Sequence, residues 1–480
     1  IKCPNCGHEI SDKAIQCPKC TAYQDENKSW NKLSVKEIIR DGKKMRHLGI
    51  VLIIIFIILI IIFALLASRS STNTGKKKYA GYADEQLKMT DEKKIEKISK
   101  LFGKKSEEKV AQLIKAQNGK KVLIHYGSGS VKRTGLLDRV KQALEKENLA
   151  YTELGGVVPN PRLSLVKEGI ELCKKEGVDF ILAVGGGSVI DSAKAIGYGV
   201  ANGGDVWDFY SHKRSAAGCL PIGVILTISA TGSEMSDSSV ITNEDGWIKT
   251  GYHSEYCRPK FAIMNPELTM TLPDYQTACG CTDILMHTME RYFTQGENME
   301  LTDSIAEALM RTVIENTKIL KENPKDYNAR AEVMWAGSLS HNGLTGCGNG
   351  GNDFATHALE HELGGMYDVA HGAGLAALWG SWARYVYKEI PERFHKFAVR
   401  VMGLEDTGDA EKMAVYGIEA MEAFFREIKM PTNLRELGLT PSEEELKELA
   451  HKCSLNTGGH KGSAKVLYEA DMLAIYEMAR

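Results

Sequence analysis

No excess of charge of one sign marks this 480-residue sequence, in which 60 lysine and arginine residues stand against 62 aspartate and glutamate residues. Proteins that bind nucleic acid normally carry a basic excess, so no nucleic-acid partner is expected. The sequence also lacks the composition of a disordered chain, because 43% of its residues are hydrophobic and 25% are charged. Its length instead predicts about two to four folded domains.

A disulfide framework is missing as well. Most of the 11 cysteines are scattered over residues 173–453 without regular spacing, which is typical of a protein from a reducing compartment. The remaining cysteines form two Cys-x2-Cys pairs, namely Cys3 with Cys6 and Cys17 with Cys20. Four thiolates at this spacing can close a tetrahedral, structural zinc site. Residues 1–24 therefore resemble the small zinc ribbons found at the N-termini of bacterial membrane proteins.

One long hydrophobic run, from Leu48 to Ala67, contains no charged or polar side chain. As a helix it would be about 30 Å long, which matches the hydrocarbon core of a bilayer. We therefore expect one transmembrane helix at 48–67, with linkers at 25–47 and 68–95. Basic residues flank the run on both sides and do not fix its orientation.

The pattern after residue 96 consists of short apolar runs, each followed by glycines and then by helical periodicity. The run 121–126 (KVLIHY) precedes Gly127-Ser128-Gly129-Ser130, and the run 180–184 (FILAV) precedes Gly185-Gly186-Gly187-Ser188. Strand, glycine turn and helix in this order predict an α/β domain with a parallel sheet over residues 96–264. Helical periodicity dominates residues 265–480, which predicts a second, all-helical domain.

The two glycine turns are candidates for binding a dinucleotide. Glycine lets the backbone come close to a pyrophosphate, and the helix that follows presents free N–H groups at its N-terminus. Two such turns at strand ends of one sheet suit a dinucleotide that lies across the sheet edge. Either turn, considered alone, is also compatible with a tight turn that binds nothing.

The helical half contains a group of possible metal ligands. Asp283 and His287 are spaced i, i+4, so both side chains leave one face of a helix. The segment 356–374 (THALEHELGGMYDVAHGAG) adds His357, His361 and His371. One carboxylate with two or three imidazoles suits Zn²⁺ or Fe²⁺ with a position left open for substrate. The spacing does not decide whether His361 or His371 is the last ligand.

A glycine pair at 364–365 lies between these histidines. Because glycine weakens a helix, we expect the helix to break there. The break would let His371 turn back toward His357.

Four segments carry a common pattern: 185–196 (GGGSVIDSAKAI), 227–236 (TISATGSEMS), 282–292 (TDILMHTMERY) and 357–379 (HALEHELGGMYDVAHGAGLAALW). Together they resemble the iron-containing alcohol dehydrogenases, most of all their NADPH-dependent butanol dehydrogenase branch. The resemblance extends from about residue 101 to residue 480. It implies a dehydroquinate-synthase-like fold, in which an α/β nucleotide-binding domain and a helical metal-binding domain enclose a cleft.

The resemblance also implies roles for individual residues. The metal ligands would be Asp283, His287, His357 and His371, and His361 would be a catalytic-pocket residue near the nicotinamide. The implied nucleotide contacts are Gly127, Gly129, Ser130, Gly185, Gly186, Gly187, Ser188, Thr227, Thr231 and Lys249. The implied activity is that of an NADP(H)-dependent alcohol dehydrogenase or aldehyde reductase for small aliphatic substrates, with Fe²⁺ or Zn²⁺ at the site and a homodimer as the assembly.

The choice of NADP(H) has a basis in the residues as well. An acidic side chain near the adenosine ribose would bind its 2′-hydroxyl and repel a 2′-phosphate. The first glycine turn offers instead Ser130, with Lys132 and Arg133 close behind. A hydroxyl beside two cations can hold a dianionic phosphate through charge-assisted hydrogen bonds. The two cations are also compatible with an ordinary solvated helix start.

A second hypothesis, from a different class, is a membrane-anchored zinc-ribbon protein whose large domain only binds or senses a ligand. The four intact metal-ligand candidates argue against it. On the first hypothesis we expect a single-pass membrane protein whose enzyme domain faces the cytoplasm, because the cofactor and the scattered cysteines both belong there.

Overall fold

The computed structural model describes residues 23–24, 30–31 and 101–480. The chain divides into two compact units, residues 1–90 and 91–480. In the first unit, β1 (Tyr23–Gln24) and β2 (Trp30–Asn31) form an antiparallel pair. The zinc ligands predicted at Cys3, Cys6, Cys17 and Cys20, and the apolar run 48–67, lie outside the described residues.

The second unit begins with an α/β half. Its strands are β3 (Lys121–Gly127), β4 (Ala150–Val157), β5 (Phe180–Gly185), β6 (Ile222–Leu226), β7 (Ser238–Asn243), β8 (Ile248–His253) and β9 (Phe261–Ile263). Its helices are α1 (Val110–Ala116), α2 (Ser130–Arg133), α3 (Leu136–Lys146), α4 (Leu163–Glu176), α5 (Gly187–Asn202) and α6 (Trp207–Tyr210). Strands β7 and β8 form a separate antiparallel hairpin.

The remaining strands form one parallel sheet in the order β4-β3-β5-β6-β9. Every residue of β5 is buried, as expected for a parallel strand with helices on both sides. On one face, Val122 and Ile124 pack with α1 and α3; on the other, Leu123 and Ile181 pack with α4 and α5. The two faces therefore carry two separate hydrophobic clusters.

The strand order places the two glycine turns next to each other. From β3 the chain goes to one side to form β4 and then returns to the other side to form β5, so the order of connection reverses between β3 and β5. In open α/β sheets, ligands bind at such a switch point, outside the carboxyl ends of the strands. The turns after β3 and β5 lie at this position, since Tyr126 pairs with Val184 at the ends of the strands.

The helical half follows the sheet. Its helices are α7 (Asp274–Tyr292), α8 (Glu300–Glu322), α9 (Tyr327–Ser340), α10 (Ala355–Tyr367), α11 (His371–Val386), α12 (Pro391–Arg400), α13 (Ala410–Glu427), α14 (Glu443–Asn456) and α15 (Glu469–Ala479). They share one hydrophobic core, in which Trp379, Trp382, Phe394 and Phe397 have no exposed side-chain surface. The prediction of an α/β half followed by a helical half is confirmed.

The predicted helix break at Gly364-Gly365 is wrong. Helix α10 continues through both glycines and ends at Tyr367, after which Asp368 has a left-handed φ of 52°. The glycines instead allow close packing against the β7–β8 hairpin. A Cβ atom at Gly365 would lie 2.6 Å from the carbonyl oxygen of Trp247, and one at Gly364 would lie 2.8 Å from the Nζ of Lys249.

The helices that the structure describes contradict the predicted single-pass membrane location. None of them is both long enough and apolar enough to cross a bilayer. Helix α8 has 23 residues but carries charges along its length, and the apolar helix α11 has only 16 residues, whereas a span needs about 20.

Replacing Gly365 by alanine tests the packing of α10 against the hairpin. The added Cβ would meet the backbone of Trp247, which cannot move as a side chain can, so we expect the free energy of unfolding to fall by about 1–3 kcal/mol. Urea unfolding of both proteins measures the change. The matched control is Gly218→Ala, where the nearest atom lies 3.9 Å away and a change within about 0.5 kcal/mol is expected. Equal stability of the two variants would show that the contact is not close.

Candidate active site

A cleft of about 920 Å³ lies between the α/β half and the helical half. Its walls include Ser188 at the start of α5, Thr231 in the loop after β6, and Lys249 on β8. From the helical half, His287, His357, His361 and His371 line it. Three of the residues predicted for cofactor and three of the four predicted metal ligands therefore meet in one cavity.

Asp283 lies at the centre of a cluster of three imidazole rings. Its Oδ1 atom is 3.4 Å from Nδ1 of His287, 3.5 Å from Nε2 of His357 and 3.7 Å from Nε2 of His371. Ligands about 2.1 Å from a tetrahedral ion lie about 3.4 Å from one another, so these separations suit atoms that share a cation. They are long for direct hydrogen bonds.

Three of these four atoms lack hydrogen-bond partners among residues 101–480. Oδ1 of Asp283, Nδ1 of His287 and Nε2 of His357 are each buried and unpaired. Buried polar atoms without partners are costly and rare, and a cation among them would satisfy all three at once. One carboxylate with imidazole nitrogens is a donor set that suits Fe²⁺ or Zn²⁺. The residues present thus fit a divalent metal.

Glu290 fixes the orientation of His357. Its carboxylate, completely buried on α7, accepts a hydrogen bond from Nδ1 of His357 and others from the backbone N–H groups of Thr356 (2.7 Å) and His357 (3.2 Å). With its proton on Nδ1, the ring turns the lone pair of Nε2 toward Asp283. Burial lowers the pKa of His357, but the negative charges of Glu290 and Asp283 and the hydrogen bond to Glu290 outweigh it and raise the pKa to about 9.

Glu360 does the same for His371. Its buried carboxylate accepts from Nδ1 of His371 and, at 3.1 Å, from the Nζ of Lys249. Burial raises the pKa of Glu360, and the charge of Lys249 opposes that shift. Lys249, predicted as a nucleotide contact, therefore also supports the histidine cluster from the other half of the unit.

The structure places His371, and not His361, next to Asp283, a choice that the spacing alone left open. A ligand atom of His361 lies near Glu360 and His371, within 4.8 Å. However, the Lys249 ammonium already sits on Glu360 and is 3.4 Å from Nδ1 of His371, so a second cation does not fit there. His361 instead lines the cleft one helical turn after His357, and burial, followed by the charge of Lys249, holds its pKa well below the ordinary value.

The other predicted nucleotide contacts lie at the carboxyl edge of the sheet. Gly127 ends β3, Gly129 and Ser130 lead into α2, Gly185 ends β5, Gly186 precedes α5, Gly187 and Ser188 open α5, and Thr227 follows β6. Two of these glycines are also needed for packing within the chain. A Cβ at Gly187 would lie 2.3 Å from the side chain of Thr231, and one at Gly186 would lie 3.0 Å from that of Ile228.

Sequence reasoning missed Glu290, Glu360 and His341. The two glutamates have a detectable signal, since Glu290 follows His287 by three positions and Glu360 follows His357 by three. His341 lies just beyond the end of α9, where no periodicity indicates its neighbours. Its ring centroid is nevertheless 4.1 Å from that of His287.

A Lys249→Met variant tests whether Lys249 supports the histidine cluster. Without the ammonium, the buried carboxylate of Glu360 should take up a proton and no longer hold Nδ1 of His371, so the metal should be retained at least about tenfold less tightly. Dialysis of metal-loaded protein against graded chelator measures this. Lys132→Met removes an exposed cation near the first glycine turn and should leave retention unchanged. Normal metal retention together with a raised KM for cofactor would make Lys249 a nucleotide contact only.

Comparison with known proteins gives two family matches. Residues 99–266 match the model described as "Iron-containing alcohol dehydrogenase", and residues 277–480 match that described as "Fe-containing alcohol dehydrogenase family, C-terminal". Together the two matches cover most of the chain.

Individual relatives agree with these matches. The chain is 41% identical to NADH-dependent butanol dehydrogenase A of Clostridium acetobutylicum, over 78% of this chain and 96% of that protein. It is 38% identical to the NADPH-dependent aldehyde reductase YqhD of Escherichia coli, over 67% and 83% of the two chains. The crystal structure of NADH-dependent butanol dehydrogenase A from Thermotoga maritima superimposes with a TM-score of 0.76 at 39% identity, over 79% of this chain and 96% of that chain. This chain belongs to the iron-containing alcohol dehydrogenase family.

Proposed function

We propose that residues 101–480 interconvert small aliphatic alcohols and aldehydes of the butanol and butanal type, with NADP(H) and a single Fe²⁺ or Zn²⁺ ion. The metal would be held by Asp283, His287, His357 and His371. The observation that carries this proposal is the group of buried, unpaired ligand atoms around Asp283 on the wall of the cleft. The names of relatives, which include butanol dehydrogenases and an aldehyde reductase, support the substrate class.

The residues of the site prepare it for carbonyl chemistry. When bound, the metal supplies Lewis acidity at the substrate oxygen, and the nicotinamide supplies or accepts the hydride. Glu290 and Glu360 keep the protons of His357 and His371 on Nδ1, which leaves both Nε2 atoms able to bind. The cleft walls bury the site, and exclusion of water strengthens every electrostatic interaction within it.

His361 is assigned a place beside the nicotinamide and the substrate oxygen. It lines the cleft, and its lowered pKa keeps the ring neutral near pH 7, so one ring nitrogen holds a proton while the other can accept one. A neutral imidazole in this position can pass a proton between the substrate oxygen and water.

The dinucleotide is assigned to the switch point of the sheet. Its pyrophosphate would lie against the N-terminus of α5, where Gly187 and Ser188 open a 16-residue helix. The adenosine end would then lie by the turn after β3, where Ser130 and Lys132 are exposed. Because the relatives include both NADH- and NADPH-dependent enzymes, the assignment of NADP(H) rests on this turn.

Replacing Asp283 by alanine tests the metal site. Removing the only carboxylate from the ligand set should abolish turnover and metal retention while NADPH binding stays largely intact, because the glycine turns lie on the other half. Metal analysis, NADPH fluorescence titration and butanal reduction measure the three quantities. His361→Ala is the matched variant and should keep the metal but lower the rate. Near-normal activity of Asp283→Ala after full metal loss would refute the role of the metal, and metal loss from His361→Ala would mean that the ligand set is misassigned.

Replacing Ser130 by aspartate tests the cofactor assignment. A carboxylate at this exposed position should repel a 2′-phosphate and bind a 2′-hydroxyl, so the ratio of kcat/KM for NADPH to that for NADH should fall at least about tenfold, roughly 1.4 kcal/mol. Steady-state kinetics with both cofactors on wild type and variant give the ratio. A wild type that prefers NADH, or a ratio that the substitution does not change, would contradict the assignment.

A further inference from the structure

One wall of the cleft carries polar groups that the proposed reaction does not use. This distal wall consists of Arg291, His341, Asn342, Asn352 and Phe354. It adjoins the proposed metal site, because the ring centroid of His341 lies 4.1 Å from that of His287. None of the five residues is acidic, and only Phe354 is apolar.

His341 presents a hydrogen-bond donor to the cleft. Its Nδ1 accepts a hydrogen bond from Nη2 of Arg291 at 3.2 Å, and an accepting nitrogen carries no proton. Because an imidazole ring always holds at least one proton, the proton of His341 is on Nε2. Among residues 101–480, no side chain or carbonyl accepts this N–H, and His341 lines the cavity.

Arg291 adds a positive charge, on which the carboxylates of Glu290 and Asp237 act without forming a salt bridge with it among the described residues. Its side chain is 6% exposed and donates to the carbonyl oxygens of His287 (2.7 Å) and Ser340 (3.1 Å). Its guanidinium also lies over the ring of Phe354, at 4.7 Å from the centroid. In the part of the chain that the structure describes, its guanidinium forms no salt bridge, which is unusual for a buried arginine.

The two asparagines extend the donor surface. The Oδ1 of Asn342 accepts from the N–H of Leu344, and the Oδ1 of Asn352 accepts from the side-chain amide of Asn349. With both oxygens engaged, the NH₂ groups are what these side chains can offer to a ligand. A plain alkyl chain against this wall would leave several donors without partners, which costs free energy.

We infer that the distal wall binds an oxygen atom on the carbon chain of the substrate, so that the preferred aldehyde carries a hydroxyl or carboxylate group in addition to its carbonyl. The inference rests on the proposed function and names its substrate class more closely. His341 donates its Nε2–H to the second oxygen, and Arg291 supplies the positive charge that favours an acceptor there.

Substrate competition in the metal-loaded full chain tests the inference. With NADPH, kcat/KM is measured for butanal, 3-hydroxybutanal and 4-oxobutanoate. Wild type should prefer at least one of the two oxygenated aldehydes over butanal by at least about tenfold, the scale of one well-made hydrogen bond. His341→Leu, which removes the donor but keeps an apolar side chain, should lower that preference at least about tenfold, and His341→Gln should restore part of it.

His451→Leu is the matched control, because His451 is exposed and its partner is Glu469. This control should keep the wild-type preference. A preference for 4-oxobutanoate would assign the second oxygen to a carboxylate, and one for 3-hydroxybutanal to a hydroxyl; both support the inference. A wild type that prefers butanal, or an unchanged preference in His341→Leu, would overturn it.

A protein that reduces none of the three aldehydes would refute the proposed function, and a binding measurement then decides the inference separately. Calorimetric titration with 1,3-butanediol and with 1-butanol compares the same chain with and without the second oxygen. Tighter binding of the diol in wild type, lost in His341→Leu, supports the distal wall as an oxygen-binding site. Equal affinity for the two alcohols refutes it.

Discussion

The arrangement of the helical half depends on one requirement, which is that Oδ1 of Asp283 lies close to three imidazole rings from three different helices. His287 comes from α7, His357 from α10 and His371 from the first turn of α11. A deviation in the packing of any one helix would move a ring away from the others, so the shared hydrophobic core around Trp379 and Phe397 serves the geometry of the site as well as stability. Buried polar atoms can lie this close together only when a hydrogen-bond partner or a metal ion satisfies them.

The carboxylates that orient the imidazole rings place a second requirement on the fold, because they need partners of their own. Glu290 and Glu360 are both fully buried, and a buried carboxylate is strongly destabilising unless it is paired. His357 and the backbone at the start of α10 pair with Glu290, while Glu360 needs His371 and Lys249 together. The hairpin that carries Lys249 must therefore approach α10 closely, and the side-chain-free positions at Gly364 and Gly365 make that approach possible.

Local patterns in the sequence predicted the sheet, the glycine turns and the pairing of Asp283 with His287, because each depends on residues a few positions apart. The glycine pair in α10 was misinterpreted from the sequence, because its role is a contact with a hairpin that lies far away in the chain. Glu290 and Glu360 could have been found from helical spacing. His341 could not, because it follows a helix end and only the tertiary structure places it against His287. The cysteine pairs of the predicted zinc ribbon and the apolar run at 48–67 remain outside the described residues.

The position of Lys249 also bears on how far the two halves of this fold are interchangeable. All four proposed metal ligands belong to the helical half, which by that measure is a self-sufficient module. Its charge balance is not self-sufficient, because the cation that neutralises Glu360 is carried by the other half. A recombinant that joined this helical half to a different nucleotide-binding domain would therefore inherit an unbalanced buried carboxylate unless the new partner also placed a cation on its hairpin. The two halves can diverge in sequence, but at this contact they have to change together.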